Sequence, residues 1–405
     1  MSATSNGVAL LGGLAVVSLV GCNGAVPPAA AAAKATTAPS GTAPSTSVTT
    51  GPNTIVRPDI LNGAAVPPAS LRTGPRTYGW PSVRGTTFRV SFDTLPTKRS
   101  VDVTLKEIPR DGKSPGNTTI EKRVTTPFAV EVTATTDTYF RLDVTAPEGE
   151  DLTLHDLRVK PSRQGDSSRF TVAVHVAGDS FAGFGQFNDL ATDRDVGAFQ
   201  ADLMRRVNAL YAPTGIQIDV ARSRYDRISA TTVGESAPGL VVGGRTYLKT
   251  QTASSSEWGQ FGVPETDPRH GKALDIFLVH GGSLVDGRTL GICECYLPVG
   301  GIFSGAGDGT FVVAAIFPQG ERAQSLDQLA NTLAHEVGHF LSLRHTTEGN
   351  FMYVDDLADT PFAVPGESVR GDATNIMCPF SLPGQTVFTP DQVNAMRGYL
   401  AISDH

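Results

Sequence analysis

His335-Glu336-Val337-Gly338-His339-Phe340-Leu341-Ser342-Leu343-Arg344-His345 is the stretch on which the reading of this chain turns. Ser325 and Gln328 just upstream form a capping-box pattern, and Leu326, Leu329, Ala330, Leu333, Ala334 and Val337 recur at helical spacing. The spacing predicts a helix that starts at Ser325 and runs through the two histidines. On it, His335 and His339 lie one turn apart on one face, so both imidazoles reach a single metal ion. Glu336 stands beside the first of them, where a carboxylate can take a proton from a metal-bound water. A straight helix carries His345 round and past the metal. It joins only if the helix stops near Ser342 and the chain turns back.

The residues downstream extend the pattern. Asp359-Thr360-Pro361, then Asn375-Ile376-Met377, then Phe388-Thr389-Pro390-Asp391-Gln392 and Met396 follow in that order. Together with H-E-x-x-H-x-x-S-x-x-H, this series resembles the metzincin zinc metalloproteases, in particular the pappalysin group. The likeness is close over roughly residues 325–400 and holds in outline over 170–320. It implies a zinc ion held by His335, His339 and His345, with water in the fourth position. It implies Glu336 as the catalytic base of a zinc endopeptidase, and Met377 as a Met-turn forming an apolar floor under the histidines. It also implies that protein or peptide substrates bind as an extended strand along the sheet edge near residues 311–316. A calcium ion, as in some relatives, is a second expectation at the acidic loop carrying Asp355, Asp356 and Asp359.

Three departures from the family pattern matter. Ser342 stands where the family has Gly, at a turn whose backbone costs a residue with Cβ about 1 kcal/mol. Pro379 occupies the place of a tyrosine two residues after the methionine, and Tyr353 is a remote substitute. Glu348 and Glu367 are rival third ligands, as in gluzincin-type peptidases, although neither lies in a convincing helical pattern. A reading from another class also stays open: a surface binding or adhesion protein that keeps the zinc fold with weak or no catalysis. An intact Glu336 speaks against it.

Bulk properties bound the rest. The chain has 405 residues, a net charge of -7, 40% hydrophobic and 18% charged residues, with 43 Gly and 27 Pro. That balance excludes nucleic acid as the main partner and suits a loop-rich, strand-rich exported protein. Residues 1–22 hold a short apolar run, Val8 to Val20, too short to span a bilayer. It ends in Leu19-Val20-Gly21-Cys22, which resembles a bacterial lipobox with Cys22 as the lipidated residue, although the first basic residue is Lys34. The membrane then enters only through that anchor. Cys293, Cys295 and Cys378 remain, and in an exported protein one disulfide to Cys378 plus one free thiol is the simple expectation.

Residues 23–77 are rich in Ala, Pro, Thr and Ser and read as a disordered tether. Residues 78–163 alternate polar and apolar residues with a period of two, as in Thr86 to Phe92 and Phe140 to Val144. That predicts an all-β sandwich. Its closing stretch, Leu154 to Val159, resembles the last strand of jelly-roll binding modules. Residues 166–405 predict an α+β catalytic domain of α/β type, with a mixed sheet and the active-site helix. Asp195 is expected to cap its first long helix.

Overall fold

The computed structural model describes residues 55–56, 61, 66, 68–72, 74–108, 117–136, 138–162, 165–177, 193–221, 226–228, 230–233, 237–242, 245–247, 273–280, 290–293, 311–316, 325–347, 357, 359–361, 363 and 370–403. The lipobox-like segment with Cys22 lies outside them, as do Cys295, Tyr353, Asp355, Asp356, Glu348 and Glu367.

The period-two runs in the first half become strands: β1 (Ile55–Val56), β2 (Ala69–Ser70), β3 (Arg76–Ser82), β4 (Thr87–Leu95), β5 (Ser100–Ile108), β6 (Asn117–Thr125), β7 (Phe128–Thr133), β8 (Thr138–Thr145) and β9 (Thr153–Pro161). They form one sheet in the order β1-β3-β8-β5-β6 and a second in the order β2-β9-β4-β7. Every pair is antiparallel except β1 with β3. Alternation decides which side chains meet. Val101, Val103 and Leu105 of β5 and Phe88, Val90 and Phe92 of β4 point into one shared core with Trp80, Phe140 and Leu142. At its edge Glu107 is buried, and its carboxylate accepts the backbone N–H of Thr135 and of Thr136, each at 2.9 Å. Those bonds offset the cost of burying a carboxylate.

This unit begins earlier than its composition suggests. β1, β2 and the start of β3 fall within 55–77, where a tether is expected. Leu61, Val66 and Leu71 are buried in the core there. Single apolar residues spaced among Ala, Pro and Gly barely move the average composition, yet each fills a place in a core.

The second half carries β10 (Arg169–Ala177), helix α1 (Asp193–Tyr211), β11 (Gln217–Val220), β12 (Asp226–Ile228), β13 (Ala230–Val233), β14 (Ala237–Val242), β15 (Arg245–Tyr247), β16 (Leu274–His280), β17 (Gly291–Cys293), β18 (Phe311–Ile316), helix α2 (Leu326–Phe340) and helix α3 (Pro390–Ile402). The helix expected to be capped by Asp195 starts two residues earlier, at Asp193. The main sheet runs β11-β10-β16-β18-β17, with β12 also on β10, and β13-β14-β15 form a small antiparallel sheet. All pairs of the main sheet are parallel except β17 with β18. The architecture is therefore mixed, helices with parallel and antiparallel sheets, as an α+β reading requires. α1 and α2 share one core with the sheet. The Tyr211 hydroxyl donates to the Ala334 carbonyl at 2.9 Å, and Arg206 pairs with Asp327, so the two helices are tied at two places.

One expectation is corrected. The strand at 311–316 is not an edge, because β18 lies between β16 and β17. Among the described residues the outer strand on that side is β17. Its three residues include Gly291, and so short a run leaves little periodicity to read.

α3 joins the two halves. Ile402 at its end is 1% exposed and belongs to the core of the first unit, while the Gly165 N–H donates to the Ala401 carbonyl at 2.7 Å. A buried isoleucine cut to alanine typically costs 2–5 kcal/mol. Ile402→Ala is expected to lower the unfolding free energy by about 2–4 kcal/mol in denaturant titrations. A loss below ~0.5 kcal/mol would show that the junction contributes nothing to stability.

Candidate metal centre

α2 places the first two histidines. Its N-terminus is closed by a complete capping box: the Ser325 hydroxyl accepts the Gln328 N–H at 3.2 Å, and the Gln328 side chain accepts the Ser325 N–H at 2.8 Å. Leu329, Ala330, Leu333, Ala334 and Val337 are buried against the sheet. With the axial position and rotation of the helix fixed in this way, His335 and His339 point off its buried end. Their rings lie 4.6 Å apart, centroid to centroid.

The third histidine arrives by the turn that the sequence makes doubtful. α2 stops at Phe340, and Ser342 adopts φ 77, the left-handed region. The Leu341 N–H still reaches the Val337 carbonyl, and the Leu343 N–H reaches back to the Gly338 carbonyl, both at 2.9 Å. The chain then reverses and delivers His345, whose ring lies 5.1 Å from that of His335 and 4.7 Å from that of His339. Ser342 is buried, and its hydroxyl has no hydrogen-bond partner among the described residues. The position thus carries both backbone strain and an unsatisfied polar atom.

One nitrogen from each of the three rings lies within 4.8 Å of the others, and all three residues are buried. His345 Nε2 is 3.1 Å from His335 Nε2. Zinc–nitrogen bonds of ~2.0–2.1 Å in tetrahedral array put ligand nitrogens ~3.4 Å apart, so the spacing fits a zinc ion. The outer nitrogens fit as well. His335 Nδ1 donates to the Ile376 carbonyl at 2.7 Å and His339 Nδ1 to the Leu343 carbonyl at 2.8 Å. Those bonds fix the tautomer that turns each Nε2 lone pair inward. Burial, with the neighbouring histidines, holds His335 down at about 3 and His339 well below the usual imidazole range. Protons therefore do not compete with a metal at neutral pH.

Met377, the residue of the Met-turn expectation, packs against α2 between the two histidines. It is fully buried, and a Cβ added at Gly338 would collide with its sulfur. Gly338, between the two histidines, is a residue that motif reading passes over. Its lack of a side chain is what lets the floor approach the helix. The turn itself is stitched in place. Asn375 accepts the Met377 N–H at 2.8 Å and donates to Gln392 at 2.9 Å, and Gln392 in turn completes the capping box of α3 with Thr389. The Thr346 N–H donates to the Met377 carbonyl at 3.0 Å. Behind it, fully buried Asp372 accepts from the Thr346 hydroxyl at 2.6 Å and from Arg370 at 2.8 Å.

Glu336 is 5% exposed, and burial pushes its carboxyl up to about 8, against an opposing hydrogen bond from the Cys293 backbone N–H. It sits next to His335 in the chain and is not one of the three converging groups.

The cysteine expectation is corrected. Cys293 and Cys378 are both buried and neither is in a disulfide, so no bridge reaches Cys378. Cys293 lies on β17 within the helix–sheet core, whereas Cys378 faces Arg370, and burial pushes its thiol up to about 11. Of the acidic loop proposed for calcium, Asp359 accepts the Asp391 N–H at 2.9 Å at the start of α3, a capping role.

Residues 319–401 match the family model Peptidase_M43, described as pregnancy-associated plasma protein-A, which supports a metzincin-like protease of pappalysin type. No curated protein matches the chain closely enough to count as a relative. Among solved structures, the pre-peptidase C-terminal domain of collagenase from Bacillus anthracis is 15% identical, with 27% of this chain and 93% of that one covered at a TM-score of 0.21. A periplasmic inhibitor of g-type lysozyme from Salmonella Typhimurium is 13% identical, covering 24% of this chain and 88% of that one at 0.16. At such scores these likenesses carry no argument.

Two outcomes are expected. Glycine at 342 relieves the strain and deletes a buried hydroxyl without a partner among the described residues, at the cost of a more flexible unfolded chain. Ser342→Gly should raise the unfolding free energy by about 1 kcal/mol; a decrease would show that the serine is accommodated without strain. The second concerns pH. Glu336 titrates at about 8 folded against 4.5 as reference, so metal-free protein loses stability as pH rises between those values. His335 and His339, both lowered from 6.5, act in the opposite sense, and their unfolded-state protonation fades only above pH 6.5. From about pH 7 to 8 the carboxyl outweighs them, with a slope below the one-proton limit of ~1.4 kcal/mol per pH unit. Thermal melts in chelator should fall across that window, and Glu336→Gln should flatten the fall.

Proposed function

We propose that the protein is a zinc-dependent endopeptidase of pappalysin-like type. The observation that carries the reading is the convergence of His335, His339 and His345 on one point beside a buried Glu336. Bound there, zinc supplies a water that deprotonates near pH ~7 and a positive charge that polarises a carbonyl. The chain does the rest. Glu336 takes the proton of the attacking water and returns it to the leaving amine. The backbone carbonyls of Ile376 and Leu343 hold two imidazoles in the ligating tautomer. Met377 closes the underside and keeps the site rigid and dry. A substrate bound as an extended strand would pair with β17, the outer strand among the described residues, and lay its scissile bond over Glu336. Export, by a lipid anchor on Cys22, is the cellular setting this reading favours, and a structural calcium in the acidic loop is a further proposal.

The alternative, a binding or adhesion protein that keeps the zinc fold, draws on strained Ser342 and on Pro379 in place of a tyrosine. It gives no reason for Glu336 to stay buried beside the histidines.

The full chain should bind one zinc and cleave a peptide library, with cleavage lost on chelation. Glu336→Ala should keep the zinc and lose at least ~100-fold in kcat, as removal of an acid–base group does. His345→Ala should sharply weaken zinc binding, read by metal analysis after dialysis, and unchanged metal content would remove His345 from the ligand set. Stoichiometric zinc in the wild type with no cleavage of any peptide would favour the binding protein.

A further inference from the structure

Gly291 begins the edge strand, and glycine inside a strand weakens it unless something needs the space. Its φ lies outside the left-handed region, so backbone freedom is not the reason. Space is. A Cβ built on Gly291 would lie 2.6 Å from both Cγ and Oε1 of Glu336 and 2.9 Å from its Cδ. Two residues on, the Cys293 backbone N–H donates to the same carboxylate. The Cys293 side chain is meanwhile buried in the core, which anchors that end of the strand, and β17 is held to β18 with Cys293 opposite Val312.

We infer that Gly291 and the Cys293 backbone N–H are positioning groups for Glu336, the bare Cα leaving room for the carboxyl and the N–H fixing its orientation. The inference rests on the reading of Glu336 as the base. A glutamate carries three side-chain torsions, and a base free to wander spends little time where the water needs it. A misplacement of ~1 Å can cost ~100-fold in rate. The contacting atoms run from Cγ to the carboxyl and all belong to the glutamate side chain rather than to backbone, so an added methyl turns that side chain and displaces the carboxyl. The same short strand, outermost among the described residues, would then both hold the base and pair with the substrate. That arrangement fixes the base relative to the bond to be cut.

The test is Gly291→Ala in the full, zinc-loaded chain, alone and combined with Glu336→Ala. The single variant should keep one zinc per chain and a KM within about twofold, while kcat falls ~10–100-fold. A second readout needs no turnover. Acetohydroxamate ligates zinc and hydrogen-bonds a neighbouring carboxylate, and its affinity is measured by calorimetry. Gly291→Ala should weaken it ~10-fold when Glu336 is present and less than twofold when residue 336 is alanine, which is the signature of coupling between the two sites. An equal loss in both backgrounds, or an unchanged kcat, overturns the inference. If Gly291→Ala does not fold, the double variant decides. Recovery of folding supports the contact, and failure of both places the clash elsewhere and overturns it. A wild type without turnover refutes the endopeptidase reading instead, and the acetohydroxamate cycle still judges the contact.

Discussion

The bond from His335 Nδ1 to the Ile376 carbonyl is the interaction on which the rest of the centre depends. It joins a ligand on α2 to a turn 41 residues further along. Everything around it serves to keep those two parts at that distance. Met377 can lie against the helix only because Gly338 has no side chain, and Asn375 holds the methionine in its turn. Gln392 ties Asn375 to α3 while capping that helix, so one side chain fixes both a helix start and the floor of the site. A ligand nitrogen displaced by half an ångström no longer suits a tetrahedral ion, which is why so many neutral hydrogen bonds converge on so few residues.

Much of this is legible in the residues themselves, because helical periodicity and capping chemistry are local. Ser325 with Gln328 and Thr389 with Gln392 mark two helix starts, and both boxes form. The strain at Ser342 follows from a count of residues: a third histidine six positions after the second demands a turn there, and φ 77 is that turn. What could not be read is set by tertiary packing. Gly338 and Gly291 look alike in sequence to any loop or strand glycine, and only the approach of Met377 and Glu336 gives them meaning. Strand order has no local signature either, so the edge moves from Phe311–Ile316 to Gly291–Cys293. Leu61, Val66 and Leu71 are hidden by their neighbours' composition.

Burial does opposite things to the groups of the centre, with one physical cause. Low polarity disfavours charge, so the imidazoles of His335 and His339 stay neutral and the carboxyl of Glu336 holds its proton. Neutral imidazoles are ready ligands. A carboxyl that gives up its proton reluctantly when no cation is near becomes a strong base for a proton beside one. Buried Asp372 shows the contrasting solution, in which a partly buried guanidinium, Arg370, and the Thr346 hydroxyl both bond the carboxyl group.

The bond between Asn375 and Gln392 has a consequence for the order of events during synthesis. The helix bearing His335 and His339 leaves the ribosome well before the residues that hold its floor. Until Gln392 has emerged, Asn375 lacks the partner that braces the turn, and the Ile376 carbonyl is not yet held opposite His335. The histidines are thus made early and aligned late. A nascent chain carries the metal-binding motif for some time before it carries a metal-binding site.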